Sequence, residues 1–139
     1  MNKWILIVLV IAVLLVGLFI IFLFARINKR RKQPLKFREN WLEIQRLCTN
    51  KDTWTLAVIN ADKLLNEALK QKRIKGKTMG ERMVAAQRQF SDNDSVWYAH
   101  NLAKKLLEDS SKALRQAQAK KSLVGVRQAL IDLGMLNGK

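Results

Sequence analysis

Residues Trp4–Ala25 read WILIVLVIAVLLVGLFIIFLFA, a run of 22 with no charge and no polar side chain. Eighteen of them are Leu, Ile, Val or Phe. As an α-helix the run is roughly 33 Å long at ~1.5 Å per residue, against a hydrocarbon core of about 30 Å. Its side chains contribute on the order of −5 to −11 kcal/mol to insertion, an upper bound because the scale applies at mid-bilayer. A secretory signal would have an apolar core of about 7–15 residues and a small-residue cleavage site. This run is longer and ends in Phe24-Ala25-Arg26, with cations following at once. It reads as an uncleaved transmembrane anchor, residues 1–25 being a short external tail and the span. Trp4 suits an interfacial aromatic. Gly17 has no small residue four positions away, so no close-packing dimer motif is signalled.

Outward from the span the charge is uneven. Lys3 precedes it, while Arg26, Lys29, Arg30, Arg31, Lys32, Lys36 and Arg38 follow it with no acidic residue between. Lys and Arg in short flanks stay cytoplasmic, so the N-terminus is expected outside and the rest in the cytoplasm, at the plasma membrane. The stretch 26–38 has two compatible readings. It is a stop-transfer flank, and it draws anionic lipid, each cation near such a surface being worth ~1 kcal/mol. Pro34, the only proline, is expected to end any helix leaving the membrane, because the residue before proline avoids the helical region. Residues 26–38 are therefore read as a basic juxtamembrane linker.

Residues 39–139 remain for one small domain with one modest core. The chain of 139 residues carries a net charge of +15, of which +7 lies in 39–139. This pattern excludes a simple soluble globule, a multi-span transporter and a disordered chain. One cysteine, Cys48, and one histidine, His100, allow no internal disulfide and no four-ligand zinc site. A lone cysteine suits a reducing compartment. No phosphate-cradling glycine loop of either common type occurs, and no cofactor is implied.

From Trp41 onward apolar residues recur at helical spacing, and nothing alternates with period two. Trp54, Ala57, Val58, Ala61, Leu65, Ala68 and Leu69 make one stripe. Thr49 with Asp52, or Asn50 alone, caps the start of that helix, and Gly76 ends it. Thr78-Met79-Gly80-Glu81 is a capping box. Ser91–Asp94 breaks the chain and caps the next helix, whose stripe runs from Val96 to Leu107. Glu108–Ser111 is a second break, and Gly134 is a C-terminal stop. Helices are expected over about 38–48, 51–73, 79–90, 94–108 and 112–133. The fold class is all-α: one N-terminal transmembrane helix followed by a compact bundle of about five helices.

Candidate chemistry is sparse. His100 lies on an apolar stripe, the usual place of a hydrogen-bonded core histidine. Pairing with Cys48 as base and nucleophile lacks a motif around either residue. Asp62 flanks the α-helical stripe and needs a donor from a neighbouring helix, since an unpaired buried carboxylate is costly. Trp97, His100, Thr78 and Arg82 are the candidate partners, so Asp62, Trp97 and His100 form an expected polar core cluster. The pairs Asp92/Asp94 and Glu108/Asp109 lie in breaks where acids cap helix N-termini. Lys70, Lys72, Arg73, Lys75, Lys77 and Arg82 crowd around Gly76. A helix C-terminus favours cations, and a phosphate of lipid or nucleic acid is the functional alternative. No aromatic RNA-reading motif accompanies them.

The segments Ala61-Asp62-x-Leu64-Leu65, Gly76-x-Thr78-Met79-Gly80-Glu81-Arg82, Trp97-x-Ala99-His100-x-Leu102 and Ala129-Leu130-x-x-Leu133-Gly134, with Trp54, resemble a helical domain of uncharacterised bacterial single-span membrane proteins. Those domains in turn resemble the HEPN superfamily, helical bundles that include many RNases. The resemblance spans about 80 residues. It implies a bundle with a tendency to dimerise and a nucleotide-binding surface. HEPN nucleases use R-x-x-x-x-H, which related sequences place as A-H-x-x-R-N-x-x-x-H. Here the Arg, Asn and His positions hold Ala103, Lys104 and Glu108, so the resemblance implies a copy without the nuclease pair. The favoured expectation is a non-catalytic, membrane-tethered cytoplasmic interaction domain with a protein partner or a second copy. The alternative is a membrane-localised RNA- or nucleotide-binding module.

Overall fold

The computed structural model describes residues 2–109 and 111–138, and of residues 29–33 the backbone alone. The chain forms two compact units, Met1–Leu35 and Lys36–Lys139. The first is the N-terminal part of one long helix, α1 (Lys3–Leu47). Within α1, Lys3–Asn28 is long and apolar enough to cross a membrane, with a mean hydropathy of 3.6, and none of that apolar window is buried.

The second unit is helical throughout, with no strand among the described residues. After the end of α1 come a 3-10 turn (Lys51–Thr53), α2 (Trp54–Gln71), α3 (Met79–Ala86), α4 (Asn93–Glu108) and α5 (Gln116–Asp132). The expected all-α class, an apolar N-terminal helix and then a bundle of about five, is the observed one. α2 packs on α3, α4 and α5, and α4 on α5. The α2 stripe buries Ala57, Val58, Ala61, Leu64, Leu65, Ala68 and Leu69. Its alanines keep the helix surface low, so neighbouring backbones approach closely. Gly125 on α5 takes this furthest: a Cβ there would lie 2.7 Å from the Ser95 carbonyl oxygen of the neighbouring chain segment at the start of α4.

Three sequence expectations need correction. Pro34 does not end a helix but lies inside α1. An interior proline costs about 3 kcal/mol. Phe37, Trp41 and Ile44, at i, i+4 and i+7, are buried in the bundle core, and each is worth about 1.5–3 kcal/mol. The expected linker 26–38 is accordingly helical, and its residue Phe37 is 2% exposed. α5 begins at Gln116, later than expected, because Leu114 is buried in an irregular approach. Arg115 then takes the N-cap position, and its N–H donates to Gln118 Oε1 (3.1 Å). Asp109 therefore caps no α5. It accepts from the N–H and hydroxyl of Ser111, and those bonds hold its carboxyl below the ordinary value.

The third correction concerns the end of α2. Gly76 does not terminate it. Arg73 does, with φ 57°. The Ile74 N–H donates to the Leu69 carbonyl and the Arg73 N–H to Lys70, the paired bonds of a Schellman cap. α5 ends in the same way, Met135 to Leu130 and Gly134 to Ile131, with Gly134 at φ 69°. Glycine fits that backbone freely; a side chain there costs about 1–2 kcal/mol. Arg73→Gly is therefore expected to stabilise the bundle by about 1 kcal/mol, raising Tm by roughly 4–8 °C. A thermal melt that falls instead would show that the Arg73 side chain contributes more than the strain costs.

The Thr78 and Asp92 caps behave as read, whereas Asn50 caps the 3-10 turn and α2 starts from Thr53 with no side-chain cap. Asn50 Oδ1 accepts from the Asp52 N–H, Thr78 Oγ1 from the Glu81 N–H, and Asp92 Oδ1 from the Ser95 N–H. Glu81 reaches back one residue beyond the cap, to the Lys77 N–H (2.7 Å). Asp132 links α5 to the start of the α4 segment, accepting from the Ser91 N–H and hydroxyl (both 2.8 Å) and from Gln128 (2.9 Å). Burial raises its carboxyl, but these donors outweigh burial and leave it below the ordinary value. A carboxylate depressed in the folded state stabilises above its unfolded value, near 4, and that contribution is lost as pH falls through the folded value. Stability should therefore drop below about pH 4, and less steeply in Asp132→Asn. Identical acid profiles for the two proteins would remove Asp132 as a cause.

Candidate functional site

The structure assembles the expected polar cluster. Asp62 on α2 is 9% exposed. His100 on α4 places Nδ1 3.1 and 3.3 Å from its two carboxylate oxygens. A carboxylate only accepts, so Nδ1 carries the hydrogen. Trp97, one turn earlier, meets the imidazole edge-on with centroids 6.2 Å apart. Of the four candidate partners for Asp62, the imidazole is the one seated on it. Arg82 instead donates from Nη1 to Asn66 Oδ1 (2.9 Å) and from Nη2 to the Lys77 carbonyl (3.2 Å). It braces α3 against α2 and lies beside Gly76, its guanidinium engaged by the Lys77 carbonyl of the turn. Cys48 is not paired with His100. Its thiol donates to the Ile44 carbonyl (3.1 Å), and burial pushes the thiol up.

The last turn of α2 and the turn between α2 and α3 carry Lys70, Lys72, Arg73, Lys75 and Lys77, all exposed. None of these five ammonium or guanidinium groups is ion-paired among the described residues. In the flank beyond the span, Arg26, Lys36 and Arg38 are exposed. Lys29, Arg30, Arg31 and Lys32 lie outside the described side chains.

One feature of the bundle escaped the sequence reading. A groove of about 390 Å³ runs between the last turns of α1, the start of α2 and one face of α5. Trp41 and Trp54 form its aromatic walls, and Ile44, Leu123 and Val124 its aliphatic ones. Cys48 opens onto it, and Gln45, Gln116, Lys120 and Arg127 supply its polar groups. The face of α5 is visible in retrospect as Gln116, Lys120, Leu123, Val124 and Arg127, spaced at i, i+4, i+7, i+8 and i+11. Val124 is the signal: a valine 59% exposed, off the stripe that α5 buries. The Trp54 indole N–H donates to the Cys48 carbonyl (2.9 Å). The Trp41 indole, 7% exposed, has a buried Nε1–H with no acceptor among the described residues.

No family model matches this chain, and no curated protein or solved structure is similar to it. The fold and its sites therefore carry the functional argument.

Proposed function

We propose that the chain is a membrane-anchored, non-catalytic interaction domain, its bundle held at the cytoplasmic face of the plasma membrane and its N-terminus outside. The observation that carries this reading is the helix Lys3–Asn28, whose apolar window buries nothing within the protein. A surface of that extent is incompatible with water unless lipid or a partner covers it. Seven cations after the span against one before it support the orientation. The solvent-facing groove supports an interaction role. Membranes washed with alkaline carbonate should retain the full-length chain, and the mature N-terminus should precede Trp4. Release into the wash, or a mature product beginning near residue 26, would overturn the anchor.

A second reading is a membrane-localised RNA- or nucleotide-binding module of degenerate HEPN type. The five exposed, unpaired cations of the α2–α3 turn favour it. Its affinity for RNA should fall steeply with salt and vanish when Lys72, Arg73, Lys75 and Lys77 become Glu. A chain that ignores RNA at low salt has no such function.

A further inference from the structure

We propose that the groove between α1, α2 and α5 binds a single-chain fatty acid, its acyl chain along the Trp41–Trp54 walls and its carboxylate at the cationic rim. Two observations converge. The groove holds about 390 Å³. That volume is at the lower end of the about 300–1,000 Å³ of small-molecule pockets, so the space suits a single chain. Its charge is one-sided: Lys120 and Arg127 line it, and no carboxylate does. An apolar body ending in an anion satisfies both. A hydrophobic helix from a partner protein would meet the tryptophans but leave both cations unused. The proposal rests on the membrane reading only for the supply of acyl chains.

Cys48, the sole cysteine, opens onto the groove and reports its occupancy. The full chain in neutral phosphatidylcholine vesicles is alkylated with a small maleimide while dodecanoate is titrated in. Dodecanoate should slow alkylation saturably, whereas dodecyltrimethylammonium at the same concentration should not. In the double variant Lys120→Gln/Arg127→Gln, whose altered side chains are at the rim and outside the core, the half-protecting concentration should rise about tenfold or more, the loss of a charge-assisted contact. Equal protection by both amphiphiles, or unchanged protection in the double variant, overturns the cationic rim. Tighter protection by dodecyl phosphate than by dodecanoate overturns the carboxylate assignment. No protection at all overturns the site. Carbonate extraction of the same preparation reports the anchor alone, so the two readings fail separately.

Discussion

Replacing Gly125 by valine should abolish the cooperative melt of the bundle or lower its Tm by more than about 20 °C. The ideal Cβ at this position lies 2.7 Å from the Ser95 carbonyl oxygen, 2.9 Å from its carbon and 2.9 Å from its Cβ. Two of those three atoms are backbone, so no rotamer change relieves the collision. α4 and α5 must separate along the most extensive helix pair of the unit. Overpacking costs about 1–3 kcal/mol where a core can yield. Gly125→Ala should fall near the top of that range and Gly125→Val above 4 kcal/mol. Domains of this size have about 5–15 kcal/mol in all. Far-UV circular dichroism of the full chain in micelles provides the measurement, since the apolar helix stays helical there and the bundle supplies the transition. A valine variant melting within a few degrees of the parent would mean that the helices do not touch at Gly125.

His100→Ala should cost about 2–3 kcal/mol, a Tm loss of roughly 10–20 °C. The side chains of His100 and Asp62 are 19% and 12% exposed, so the pair is largely out of water. Truncating the imidazole removes the only donor seated on the Asp62 carboxylate among the described residues, and an orphaned buried carboxylate is expensive. The removal also takes away the edge that Trp97 packs on. If the cost is the orphaned charge, Asp62→Leu/His100→Leu should be more stable than His100→Ala, because replacing both partners removes the penalty that removing one creates. A double variant no better than the single one would place the loss in packing around Trp97. His100→Ala with unaltered stability would show that the imidazole is free for other work.

The sequence made most of this legible where local chemistry and packing agree. The α2 stripe, the Thr78 and Asp92 caps and the Gly134 stop are decided within four or five residues, and the structure has them in place. What stayed hidden depended on distant partners. Pro34 disfavours helix locally, yet α1 runs through it. Arg73 in a left-handed cap has no sequence signature, because the preference there is for glycine. The partner of Asp62 had to come from another helix, and four residues were eligible on pattern alone. The groove is a property of three segments brought together, the first beginning at Trp41 and the last ending at Arg127. Its one trace in the sequence is an apolar pair, Leu123-Val124, too wide for a single buried stripe.

The membrane reading makes one claim on which the others depend: the bundle lies on the cytoplasmic side of a span that is never removed. Protease added to right-side-out spheroplasts and to inside-out vesicles tests it directly, because Lys51, Lys75 and Lys77 offer exposed cleavage sites. The chain should stay intact in spheroplasts and lose the bundle in inside-out vesicles, leaving a protected fragment containing Trp4–Ala25. Digestion in intact spheroplasts, or a bundle recovered without the apolar helix, would contradict it.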